Sequence, residues 1–112
     1  MNKRKANVID NLIKKNTDHS KLILNMTCIF FNVFSNLFGH DCAKILNEFL
    51  VDNDKTVDEI VYNCSISHSG YYRKIKQIYV VIATLEELVN KTFINIEIDN
   101  CSIYDILNGY SN

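Results

Sequence analysis

Two short spacings bring together side chains that can ligate a metal or attack a carbonyl: His40-x-Cys42 and Cys64-x-x-x-His68. Thiolate and imidazole groups at such spacings build tetrahedral zinc sites, and Cys64 and His68 would share one face of a helix. The two pairs are far apart, no Cys-x-x-Cys occurs, and Cys42 falls on the apolar side of its own helical pattern. Buried thiols and surface histidines are the simpler account, so no metal or cofactor is assigned. A Cys64–His68 nucleophile would also need an orienting third group and oxyanion donors, which the sequence does not offer. The chain is therefore read as a non-enzyme. Its glycines, Gly39, Gly70 and Gly109, are too dispersed for a phosphate-cradling loop.

A different chemistry gathers at residues 67–77. Ser67, Ser69, Tyr72, Arg73, Lys74, Lys76 and Gln77 are polar, basic or aromatic and open a segment with helical periodicity. Arg and Gln can pair with base edges in bidentate fashion, while Ser, Tyr and Lys hold phosphates, so the expected partner is double-stranded DNA. A third group, Phe30, Phe31, Phe34 and Phe38, crowds the apolar segment 21–38. Its alternative reading is a protein-interaction module or homodimer that makes no DNA contact.

Charge and composition bound these readings. The formal net charge of the 112 residues is −1. That figure averages a basic start (Lys3, Arg4, Lys5, Lys14, Lys15, Lys21), an acidic middle (Asp52, Asp54, Asp58, Glu59) and a second basic stretch at 73–76. A near-neutral total excludes a protein held to nucleic acid by bulk charge, but leaves room for local phosphate contacts. The abundance of Asn and Ile with no Pro is read as codon bias of an AT-rich genome rather than as chemistry. Four separated cysteines and a polar first twenty residues favour a reducing, intracellular setting, the nucleus if the source is eukaryotic. Segment 21–38 is too short and too interrupted by Asn25, Asn32 and Asn36 to cross a bilayer, so no membrane partner is expected.

Several elements must position these groups. Val8, Ile9, Leu12 and Ile13 predict a short amphipathic helix ended by the polar cluster 16–20, with Asp18 or Ser20 capping the next helix. Segment 21–38 predicts an apolar core or interface helix closed by Gly39. Asp41 is expected to cap a helix carrying Cys42, Ile45, Leu46 and Phe49. Thr56 and Glu59 match a capping box that starts a helix of about two turns. From Ser67, the steps Tyr71, Ile75, Ile78, Ile82, Leu85 and Val89 predict a longer helix with one buried face. Beyond Asn90-Lys91 the alternation of Ile94, Ile96 and Ile98 with polar residues predicts a strand, returned by a second strand at 101–107.

This order, helix, short helix, turn, longer helix, hairpin, is that of a winged helix-turn-helix preceded by N-terminal helices. The expected class is mainly α with a small β-hairpin. Residues 1–20 are assigned to a basic N-terminal helix and 21–112 to a single winged-helix domain with a leading apolar helix. Leu37-Phe38-Gly39 with Lys44-Ile45-Leu46, then Thr56-Val57-Asp58-Glu59-Ile60-Val61, then Val81-Ile82-Ala83-Thr84-Leu85 through Leu88-Val89 and Phe93-Ile94 carry a family resemblance. Over about residues 37–98 the chain resembles the first winged-helix domain of the winged-helix subunit of RNA polymerase III, which is related to the alpha subunit of TFIIE. The resemblance implies a role in promoter opening or polymerase assembly, with other transcription proteins as partners.

Overall fold

A computed structural model describes residues 7–99, all of it built from helices: α1 (Asn7–Lys15), α2 (Asp18–Val33), α3 (Ser35–Phe38), α4 (Asp41–Val51), α5 (Val57–Cys64) and α6 (His68–Asp99). The amphipathic spacing expected at 8–13 becomes α1, which buries Ile9 and Leu12 against α2 and α4. Asn16 then turns the chain with φ 50°. The cap of α2 is Thr17 rather than Asp18 or Ser20. Its hydroxyl accepts the Ser20 amide at 3.0 Å, while Ser20 Oγ accepts the Thr17 amide at 2.9 Å, so both amides are satisfied reciprocally.

The apolar segment 21–38 is not one helix. Phe34, at φ −98° and ψ 26°, interrupts it, and α3 adds a single turn before Gly39 stops the chain at φ 77° and ψ −175°. Such a backbone is open to glycine almost alone. His40 rather than Asp41 is the residue before α4. Asp41 lies in the first helical turn, where a carboxylate favours the positive end of the helix dipole. The capping box at Thr56 and Glu59 forms as expected, with the Glu59 amide donating to Thr56 Oγ1 at 3.2 Å.

The core lies where α2, α4, α5 and α6 converge. Phe31, Ile45, Phe49, Ile60, Tyr71 and Ile78 are all at most 1% exposed. The periodicity of α6 is realised: Tyr71, Ile75, Ile78, Ile82 and Val89 are buried and Leu85 is half-buried. A helix of 32 residues extends about 48 Å, which accounts for the long dimension of 52 × 30 × 20 Å. The radius of gyration, 16.1 Å, exceeds the roughly 13 Å of a sphere-like chain of this length.

The expected β-hairpin wing is corrected. Ile94, Ile96 and Ile98 belong to α6, which runs on to Asp99, and no strand occurs among the described residues. The proposed partner strand at 101–107 lies outside them. No glycine or proline falls between Gly70 and Gly109 to stop the helix. Extending an existing helix through isoleucine costs only a few tenths of a kcal/mol per residue relative to the best helix formers. A lone two-stranded hairpin, in contrast, is marginal in water. Alternation over five residues was too short a signal to outweigh that difference.

Candidate nucleic-acid interface

α5, a three-residue link and α6 form a helix-turn-helix. The link is tight because Ser65 adopts φ 57° and ψ 44°. The Ser65 amide reaches the Tyr62 carbonyl at 3.2 Å and the Ile66 amide reaches Val61 at 3.2 Å, the paired bonds of a Schellman ending. Ser67 then opens α6, its hydroxyl accepting the Gly70 amide at 3.0 Å and lying 3.2 Å from Ser69 Oγ. His68 Nε2 meets Asp58 Oδ1 at 2.7 Å, tying the start of α6 back to α5.

The seven residues assigned to DNA divide into two groups. Ser67, Ser69, Tyr72, Arg73, Lys76 and Gln77 are exposed, and Lys74 is half-buried. Four of them, 69, 72, 73 and 76, follow the i, i+3, i+4, i+7 spacing of one helical stripe. The Arg73 guanidinium lies 3.9 Å from where a Cβ at Gly70 would stand, so it lies back along the first turn of α6. The Tyr72 ring is held edge-on against buried Tyr71, with centroids 5.1 Å apart and planes at 82°.

Lys74 and, from an exposed position, Gln77 each make a contact with the bundle. Lys74 is half-buried and its ammonium donates to the Phe38 carbonyl at 3.5 Å, at the end of α3. The Gln77 side-chain oxygen accepts from the Cys42 thiol at 3.5 Å. Both lie one step round the helix from the exposed stripe. In the sequence Lys74 has the same chemistry as Lys76; only the position of α3 separates them.

The four phenylalanines also separate. Phe31 is fully buried, Phe30 and Phe38 are half-buried, and Phe34 is 41% exposed. Their rings form one cluster, with centroids 4.9 Å apart for Phe30–Phe34 and 5.8 Å for Phe31–Phe38. The most exposed apolar residues of this region are ones that residue type alone did not single out: Ile29, Val33 and Leu37. A helix that is apolar nearly all round, as α2 is, was the available signal.

The His and Cys pairs do not converge. His68 is engaged with Asp58, Cys42 faces α6, and no group of three or more metal-ligating side chains occurs among the described residues. Burial pushes the Cys42 thiol up to about 11, with the nearby Asp41 carboxylate adding to the rise and Lys74 opposing it. Burial likewise raises Cys28 and Cys64. A raised thiol pKa lowers the fraction of thiolate, the form that attacks or ligates. No helix among the described residues is long and apolar enough to cross a membrane.

Comparison with known protein families, curated proteins and solved structures gave no match.

Proposed function

We propose that this protein is a helix-turn-helix component of the transcription machinery, working inside the cell, that contacts duplex DNA through the first turns of α6. The observation that carries the reading is the exposed stripe Ser69, Tyr72, Arg73 and Lys76 directly after the tight Ser65 link. Hydroxyls and first-turn amides at the helix start suit a phosphate, Arg73 and Lys76 supply cationic partners, and Arg73 can pair with a guanine edge. With no wing among the described residues to add contacts, the footprint is small and rests on few phosphates.

Titration of the protein against duplex DNA at two salt concentrations tests the reading. Removing both cations in Arg73→Ala/Lys76→Ala is expected to weaken binding and reduce the slope of log K against log salt by roughly 2, about 0.9 for each phosphate no longer neutralised. Lys74→Ala should leave that slope unchanged, because its ammonium is directed at the Phe38 carbonyl. Equal binding by the double variant and the parent, or no binding by either, refutes the proposal.

A further inference from the structure

A groove of about 570 Å³ lies between the start of α1 and the middle of α6. Val8 lines it from α1, and Tyr79, Ile82, Ala83, Glu86 and Glu87 line it from α6. Lys91, also on its wall, stands 3.0 Å from Glu87 in a pair whose side chains are 70% and 68% exposed. Water and salt screen such a pair, so it contributes little. Glu86 is placed differently. It is half-buried, and among the described residues no hydrogen bond or ion pair engages its carboxylate. A carboxylate drawn partly out of water without a cation or a donor is unfavourable. With Lys91 set against Glu87, the groove keeps one net negative charge, on Glu86, beside the apolar side chains of Val8, Ile82 and Ala83. That combination fits a lysine or arginine, whose hydrocarbon stem covers apolar surface while its head meets the carboxylate.

We propose that the occupant is this chain's own basic segment, Lys3, Arg4 and Lys5, which straps α1 to α6 across the groove. Charge is the first reason. The segment 1–6 carries these three cations and no acid, so it complements the one unpaired carboxylate. Reach is the second. Val8 is on the wall of the groove, and Lys5 precedes it by only three positions. At no more than about 3.6 Å per residue, even Lys3 stays within about 18 Å of Val8, while Tyr79 to Lys91 spans about 18 Å along the axis of α6. Each cation can therefore come to Glu86 without displacing α1. Tethering is the third reason: a segment joined to the wall meets the groove at an effective concentration on the order of 1 mM, which a free cationic peptide would have to exceed. The strap does not rest on the DNA reading, since the groove and the α6 stripe share no residue.

Carbodiimide coupling of the full chain in dilute solution tests it, because the reagent joins a lysine amine to a carboxylate only where the two are in contact. At low ionic strength Lys3 or Lys5 is expected to couple to Glu86 or Glu87 within one chain, as read from peptide masses. The yield should fall several-fold in about 1 M salt, where the screening length is about 3 Å. Glu86→Lys reverses the charge that holds the segment. It should abolish coupling of Lys3 and Lys5 to Glu87 and speed tryptic cleavage after Arg4 and Lys5 several-fold, with a thermal melt showing that the bundle is intact. Failure of the parent's Lys3 and Lys5 to couple to the groove overturns the proposal whether or not the variant folds. Coupling only between two chains also overturns it, and would assign the groove to a cationic segment of another molecule. Cleavage of a folded Glu86→Lys at the parent's rate overturns it as well.

Discussion

Replacing Glu48 removes one carboxylate that joins α4, the turn after it and α5. Its Oε1 accepts from Asn63 Nδ2 at 2.6 Å, near the end of α5, and from Lys55 Nζ at 2.9 Å, in the turn after α4. The side chains of Glu48 and Lys55 are only 17% and 15% exposed, so water screens the pair poorly. The Asn63 hydrogen bond and then Lys55 hold the Glu48 carboxyl below the ordinary carboxylate range, against an opposing effect of burial. Hydrogen bonds to charged groups contribute roughly 1.5–3 kcal/mol. Asn63 is exposed and regains water when its partner is removed, whereas Lys55 is left partly desolvated. Glu48→Ala should therefore cost about 2 kcal/mol in all, or roughly 8–16 °C in Tm for a domain of this size. Glu48→Gln keeps an acceptor for Asn63 and loses only the charge, so about 1 kcal/mol is expected.

Urea unfolding at several pH values separates charge from shape. The folded carboxyl titrates below the unfolded one, so its contribution is complete at neutral pH. It declines as pH falls below the unfolded value of about 4.3 and vanishes once pH passes the folded value. The stability gap between the parent and Glu48→Gln should thus narrow toward acid. A gap of the same size at pH values on both sides of that window, or a Glu48→Ala cost within about 0.5 kcal/mol of zero, refutes the reasoning.

Two further expectations concern stability. Phe31→Ala empties a fully buried site and should cost about 3–5 kcal/mol, while Phe34→Ala, half open to solvent, should cost about 1 kcal/mol or less in the same denaturation assay; the reverse order would return Phe31 to the surface. Gly39→Ala meets no neighbouring atom within 4 Å, so its penalty of about 1–3 kcal/mol comes from the backbone alone, and Ser65→Gly, which relieves a left-handed residue, should stabilise by about 0.5 kcal/mol. Chemical denaturation of each variant measures both signs.

Local signals carried much of the architecture. The capping box at Thr56 and Glu59, the stop at Gly39 and the buried stripe of α6 depend on neighbours within a turn or two, and the structure contains all three. The misread segments lack such local arbiters. Phe34 breaks 21–38 without glycine or proline, and Thr17 takes the cap from Asp18 and Ser20, although all three residue types can cap. The isoleucines at 94, 96 and 98 suit a strand's alternation, yet the absence of a breaker lets α6 continue through them.

The candidate site divides along the same line. Residue types and helical period place Ser69, Tyr72, Arg73 and Lys76 on one stripe at the start of α6, because a helix orders its own side chains every 3.6 residues. Nothing in that period says which stripe faces water. Docking α4 and α3 against α6 draws Lys74 to the Phe38 carbonyl and Gln77 to the Cys42 thiol, and leaves Arg73 and Lys76 outside. Likewise, the sequence makes α2 apolar nearly all round, but only packing on α1, α4 and α6 buries Phe31 and turns Ile29 and Val33 outward. Amphipathic period is a property of one helix; the choice of buried face is a property of the helices that meet it.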